Sequence, residues 1–505
     1  MTRPLCLLCL CCQLALAAPP PDKAPFANNL LDDLSAGIEK ALHAWDMDEA
    51  RLLMVQVEAL NLQGLALLYY VRGRMAFQLG LYEEAADAFV LAGQESNPGT
   101  FLRLAEAGKR FLKTAQRFES AHFVLFVPEG KQAALAGYAL ETLEAQHAAL
   151  KEALGFAPRE KLRVEVVATA RELAELSGES PEKLLNSDRA AFCTFGKMLL
   201  LSPSALHGGF AWQEGLAHAY ACVAVAQQSR NKAPPWLQEA LATYLQGHWK
   251  NSAPPPLPKA PWADLQQQMR TSSTLLFERR RDLANPHTAR LAFAEGFLLV
   301  EYLKSQQGPQ ALPRLLEKLS QQGDVPRAIS ELTQVPWAKW KPPFRNATLA
   351  RRFPAQAKAP QAISNPAVLR ALRLGKLYAD SQRNQAAAHH YAKAWALEGH
   401  HRAAVAQDYV PVLLALARHE EAERVLAQSL DEASAPAALW VSLGKLRLHQ
   451  SQWAKAQAAF ESALAQNPFF PEVHLGLFAA AQAQGNAALA KRAQEAAAIL
   501  LQTTP

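Results

Sequence analysis

The sequence predicts a mostly α chain with helical repeats at both ends and a smaller α+β segment between them. Three observations carry this. Ala422, Ala456 and Ala490 recur at a fixed 34-residue interval inside alanine- and leucine-rich stretches. Two runs in the middle, "HFVLFVP" (His122 to Pro128) and "LRVEVVAT" (Leu162 to Thr169), are β-branched and aromatic, which suits strands. Half of the 505 residues are hydrophobic and 19% are charged. That composition is globular, and the length calls for several domains rather than one core.

The chain begins "MTRPLCLLCLCCQLALAAPPP". Arg3 supplies a basic start, Leu5 to Leu16 an apolar run too short to span a bilayer as a helix, and Ala15-Leu16-Ala17 a small-x-small cleavage pattern. Residues 1–17 therefore read as a secretory signal of a bacterial protein, followed by a proline-rich segment over 18–29. This implies a periplasmic, cell-envelope or extracellular location. No later stretch has the length and polarity of a membrane span. Four cysteines fall in the leader, leaving Cys193 and Cys222. In an oxidising compartment these two either pair or pack as small apolar side chains. The net charge of +6 is mild for this length and gives no footprint for nucleic acid.

The C-terminal repeats are the most regular feature. In "LWVSLGKLRLHQSQWAKAQAAFESALAQNP", Trp440, Leu443, Gly444, Trp453, Ala456, Phe460, Ala463 and Pro468 follow the tetratricopeptide (TPR) pattern. Small residues let two antiparallel helices approach, and large ones fill the space between them. Leu374, Gly375, Tyr378, Ala387, Tyr391 and Ala394 repeat the pattern upstream, so about four units occupy 366–504 as an α-solenoid. Near the N-terminus, Tyr69, Gly73, Gly80, Tyr82, Ala85, Phe89 and Ala92 mark another TPR-like unit within 30–115. The resemblance implies grooves that bind proteins or peptides.

Between the arrays, over 116–335, the order is strand, long helix to the stop at Gly155, strand, short helix from Ala170, and a hairpin or edge strand broken at Gly196. Two helices follow, "FAWQEGLAHAYACV" (Phe210 to Val223) and "APPWLQEALATYLQGHW", the second opened by Pro234-Pro235. This order resembles the peptidase MA-like domain of the gluzincins. "EGLAHAY" is similar to the family's H-E-L-x-H helix, and "PPWLQEALATY" to its glutamate helix, with Trp236, Leu237, Glu239, Leu241, Ala242 and Tyr244 matching.

Such zinc peptidases place two imidazoles one helical turn apart, add a carboxylate ligand, and set a glutamate beside the first histidine. That glutamate takes a proton from the zinc-bound water. By this resemblance His218 is the second histidine and Glu239 the third ligand. Glu214 stands where the first histidine belongs. Gly215, with no side chain, stands where the general base belongs. Losing a general base costs about a hundred- to ten-thousandfold in rate. The expected ligand set is thus a vestigial Glu214, His218 and Glu239, with no catalytic residue, no cofactor required, and zinc as the metal the site would take. A set extended by Cys222, one turn beyond His218, competes with a packed cysteine. His207 lies in a turn before Gly208-Gly209.

The stretch from 336 to 365 holds basic but no acidic residues and reads as a proline-broken basic linker. "NSAPPPLPKAPW" (Asn251 to Trp262) reads as a semi-rigid loop. The sequence as a whole reads as an exported scaffold with a peptidase-like middle domain that does not hydrolyse. It would hold an extended peptide by strand addition along Thr194, Lys197 and Leu199. The rival is a zinc-dependent metallopeptidase with an unusual ligand set, and a third reading is a structural spacer between two solenoids.

Overall fold

The computed structural model describes residues 24–62, 64–93, 99–158, 160–180, 190–206, 208–250, 257, 260–279, 285–353, 363–398, 402–430 and 435–502. The leader over 1–17, His207 and most of the proline-rich loop from Asn251 lie outside them. No helix among the described residues is long and apolar enough to cross a membrane.

The N-terminal helices are α1 (Ala24–His43), α2 (Met47–Ala59), α3 (Ala66–Gln78), α4 (Tyr82–Ala92) and α5 (Gly99–Leu112). They form two hairpins, α1 with α2 and α3 with α4, and α5 packs on α4. The C-terminal array is four further hairpins. These are α15 (Pro366–Asp380) with α16 (Asn384–Leu397), α17 (Arg402–Ala415) with α18 (His419–Leu430), α19 (Ala437–His449) with α20 (Trp453–Gln466), and α21 (Pro471–Ala483) with α22 (Ala487–Gln502). The chain is thus mostly helical with TPR-like repeats at both ends.

One packing device recurs in both arrays. A Cβ on Gly73 would sit 2.6 Å from the Phe89 ring, and a Cβ on Gly444 would sit 2.6 Å from the Phe460 ring. Gly375 stands in the same relation to Tyr391, again at 2.6 Å. In each pair the glycine of the first helix leaves room for an aromatic ring of the second. One hairpin buries only part of its apolar surface, so the array is stabilised by stacking.

Between the arrays lies a five-stranded sheet, ordered β1-β2-β3-β5-β4 among the described residues. The strands are β1 (Ala115–Glu119), β2 (Phe123–Pro128), β3 (Leu162–Val167), β4 (Ala191–Thr194) and β5 (Lys197–Leu201). The helix α6 (Ala136–Leu154) links β2 to its parallel neighbour β3 and stops at Gly155, whose φ of 63° is left-handed. After β3 comes α7 (Ala170–Ser177), opened by a capping box between Thr169 and Glu172. β1 and β4 are antiparallel to their neighbours and form the two edges.

This order corrects the expected edge strand. Lys197 and Leu199 lie on β5, which pairs with β3 on one side and β4 on the other. Its backbone groups are committed, and both side chains are buried. Only Thr194, on β4, is on a strand that could accept another. The sequence carried no strand signal for β1, which opens the middle region.

The remaining helices complete the middle region: α8 (Trp212–Gln228), α9 (Pro235–Leu245), α10 (Trp262–Thr271), α11 (Pro286–Gln307), α12 (Ala311–Gln322), α13 (Val325–Thr333) and α14 (Trp337–Ala350). The last corrects the basic linker over 336–365. Residues 337–350 are helical despite Pro342 and Pro343, because Trp340 and Phe344 are buried in the main core. Lys341 in it and Arg351 just after it are answered by acids of the preceding segment, and Arg345 donates to Met269 O. Lys341 lies 3.3 Å from Glu278, the Trp337 indole donates to Glu278 at 2.9 Å, and Arg351 pairs with Glu301.

Both arrays are fastened to the middle. On the N-terminal side, Phe195 at the β4–β5 turn enters an aromatic cluster with Phe77 and Phe101, at centroid distances of 5.4 and 5.8 Å. On the C-terminal side, Phe460, Leu464, Leu477 and Leu489 share one core with Leu135, Tyr138 and Trp212.

Candidate functional site

The site is built where α8 crosses α9. Pro235 occupies the first turn of α9, where a missing N–H costs nothing. The i, i+4 spacing puts His218 and Cys222 on one face of α8, and Glu239 reaches them from α9. Their donor atoms all lie within 4.8 Å of one another. His218 Nε2 is 3.5 Å from Glu239 Oε1. His218 Nδ1–H donates to Gln246 Oε1 at 3.2 Å, which fixes the ring and turns Nε2 toward Glu239.

Burial opposes a charge on His218, but Cys222 and Glu239 beside it outweigh that and hold its pKa well above the usual imidazole value. Cys222 is pushed well above the usual thiol value by its hydrogen bond with Cys193 and by burial. Cys193 and Cys222 are both free thiols, brought into hydrogen-bonding contact across α8 and β4.

Glu214 is not part of this cluster. One turn earlier on α8, its carboxylate is 47% exposed and accepts a hydrogen bond from Lys250 Nζ at 2.9 Å. The expected ligand set of Glu214, His218 and Glu239 is therefore divided. The fold brings the last two together, adds Cys222, and turns Glu214 toward solvent. No Glu214–His218 hydrogen bond forms. The physical reason is the Lys250 ammonium, which offers an exposed carboxylate a charge-assisted partner without desolvating it.

Gly215 faces β4. A Cβ there would lie 3.5 Å from Ala191 Cβ, an ordinary contact. The backbone leaves space for a methyl group, and the sequence supplies no carboxylate for proton transfer at this point.

Glu214 instead lines a cavity of about 610 Å³ between the first turn of α8 and the last two C-terminal hairpins. Gln213, Trp249 and Lys250 line it from the middle region; Trp440, Glu461, Leu464, Leu477 and Arg492 line it from the repeats. Arg492 pairs with Glu141 on its wall. Gln246 and Lys250 were not singled out in the sequence. Gln246 had a signal, since it stands two helical turns after Glu239 and so shares its face.

No protein-family model matches the chain, and no curated protein matches it. Among solved structures, the chain is similar to one described as "Crystal structure of APC/C hetero-tetramer Cut9-Hcn1". The alignment covers 94% of this chain and 96% of that one, at 13% identity and a TM-score of 0.24. At so loose a superposition the repeat architecture is carried by the hairpins themselves, not by the likeness.

Proposed function

We propose that the protein is an exported repeat scaffold that holds a peptide or a protein segment, and that its middle domain has a metallopeptidase-like frame without hydrolytic activity. The observation that carries this is the cavity of about 610 Å³ shared by α8 and the last two hairpins. A free-standing repeat array offers only its own groove. Here the array closes over the helix that a peptidase would use, at the turn that holds Glu214 and Gly215.

The lining fits a short segment with one apolar side chain among polar neighbours. Trp440, Leu464 and Leu477 supply an apolar wall, and the pairs Glu214–Lys250 and Glu141–Arg492 supply both signs of charge. A half-open concavity with a mixed lining suits a ligand held by both apolar and polar groups. Proline-rich and basic peptides, and acidic ones, are the first probes to array. Binding that weakens at least about tenfold in Trp440→Ala supports the reading, since buried aromatic anchors carry much of such energies. Uniform absence of affinity for peptides and for envelope proteins would leave the structural-spacer reading.

One observation favours the rival. His218 and Glu239 keep the one-imidazole, one-carboxylate juxtaposition of a zinc peptidase, 3.5 Å apart. Zinc-dependent cleavage lost in Glu239→Gln would establish it.

A further inference from the structure

We infer that Cys222, His218 and Glu239 form a binding site for a borderline-soft divalent metal such as zinc, one helical turn beyond the position the peptidase resemblance indicates. The inference goes beyond the scaffold reading and does not depend on it.

The donor chemistry leads to this metal class. A thiolate, an imidazole and a carboxylate together suit zinc or cobalt, whereas magnesium and calcium take oxygen alone. Ligands about 2.0–2.1 Å from a tetrahedral zinc stand about 3.3–3.5 Å apart. His218 Nε2 and Glu239 Oε1 are 3.5 Å apart before any adjustment. Cys222 joins them within 4.8 Å. Cys193, on the edge strand β4, neighbours Cys222 but stands outside this three-residue group.

The supporting shell is also present. Gln246 accepts from His218 Nδ1–H at 3.2 Å, which leaves Nε2 as the coordinating nitrogen. Three protein donors would leave one tetrahedral position for a further ligand. Such a metal would tie α8 to α9, and Gly215 supplies no general base for hydrolysis beside it. Binding displaces the protons of His218 and Cys222, so affinity rises with pH.

The test uses the reduced, metal-free protein titrated with cobalt and then with zinc. One equivalent should bind, with a thiolate-to-cobalt charge-transfer band. Cys222→Ser and His218→Ala should abolish stoichiometric binding. Gln246→Ala, a positioning change, should weaken affinity about ten- to a hundredfold. Glu214→Gln should leave metal binding unchanged. Because buried variants can misfold, thiol alkylation of the wild type supplies a second readout: zinc should protect Cys222. Equal labelling with and without zinc, or no bound equivalent, overturns the inference. Binding lost in Glu214→Gln but kept in Cys222→Ser also overturns it and returns the site to the unshifted position.

Discussion

The two repeat arrays meet the middle of the molecule in different ways. At the N-terminal seam Tyr82 of α4 docks on a charge cluster of the sheet, beside the contacts of Phe195 with Phe77 and Phe101. Glu165 on β3 accepts from Tyr82 at 2.5 Å, from Arg163 at 2.5 Å and from Lys197 at 2.9 Å. Lys197 also donates to the Tyr82 hydroxyl, and the Arg163 guanidinium lies over the Tyr82 and Phe126 rings. Burial opposes the charge on Glu165, yet Lys197 and Arg163 hold its pKa below the usual carboxylate range. Burial lowers Lys197, with Glu165 opposing. We take the pair as ionic at neutral pH, since Glu165 has two cations against one anion.

At the C-terminal seam the fastening is mainly apolar, with a few neutral hydrogen bonds and the Arg492–Glu141 ion pair. The Trp212 indole donates to Leu464 O at 2.8 Å, and Phe210 N–H to Gln466 O at 2.9 Å. Burial lowers the pKa of His474, opposed by its bond to Pro468 O. The neutral ring therefore donates from Nε2 to Pro468 O at 2.6 Å and accepts the Tyr138 hydroxyl at Nδ1, 3.1 Å away. The lesson is that one repeat type docks by two kinds of chemistry. The N-terminal array sets a tyrosine on a charge cluster of the sheet, while the C-terminal array docks mainly through a shared core.

The largest expected effect is at the charge cluster of the N-terminal seam. Lys197→Met removes one partner of a buried pair and should destabilise by about 3–5 kcal/mol. Adding Glu165→Gln should restore part of that, because the uncompensated carboxylate goes with it. Urea unfolding checks both, and a Lys197→Met cost below about 1 kcal/mol would show that the charges do not lock the seam.

Next come the glycines shared by the arrays. Gly73→Ala and Gly444→Ala each push a methyl group into a ring and should cost about 1–3 kcal/mol. Similar costs would show that the repeats are alike internally and differ only at their seams. A Gly444→Ala cost near zero would show that α19 moves to accommodate the methyl group.

Acid separates the seams by pH. His474 has a lowered folded pKa, so the unfolded chain takes up a proton first as pH falls below about 6.5. The C-terminal seam should lose up to about 1.4 kcal/mol per pH unit from there downward. Glu165, lowered in the fold, keeps its contribution above the usual carboxylate value and loses it only in the acid range below. Hydrogen exchange from pH 7 to 5 should show protection falling in α21 and α22 before α3 and α4. The reverse order would contradict the assignment.

The smallest effect falls on α8. Gly215→Ala meets Ala191 at an ordinary distance and should stabilise by up to about 1 kcal/mol. Destabilisation would mean that β4 sits closer to α8 than the packing indicates.

Much of the fold was legible in the sequence. The spacing of Gly444, Phe460 and their equivalents marked the C-terminal hairpins, and the β-branched runs marked β2 and β3. What stayed hidden depended on distant partners. Lys197 reads as an exposed edge residue until Glu165, 32 positions away, is brought beside it. "AQRFE" reads as a helix end, because β1 is a strand only through its pairing with β2. The prolines of α14 concealed a helix held by Trp340 and Phe344. At the candidate site, the spacing of His218 and Cys222 was visible. The diversion of Glu214 to Lys250 was not, because nothing local marks Lys250, 36 residues on, as its partner.

The most direct test of the central reading is cleavage of a proteome-derived peptide library by the zinc-supplemented protein, read as new peptide termini by mass spectrometry. The account predicts no new termini above a no-protein control, with a subset of intact peptides retained. Zinc-dependent termini that disappear in Glu239→Gln would contradict it and make the protein a peptidase.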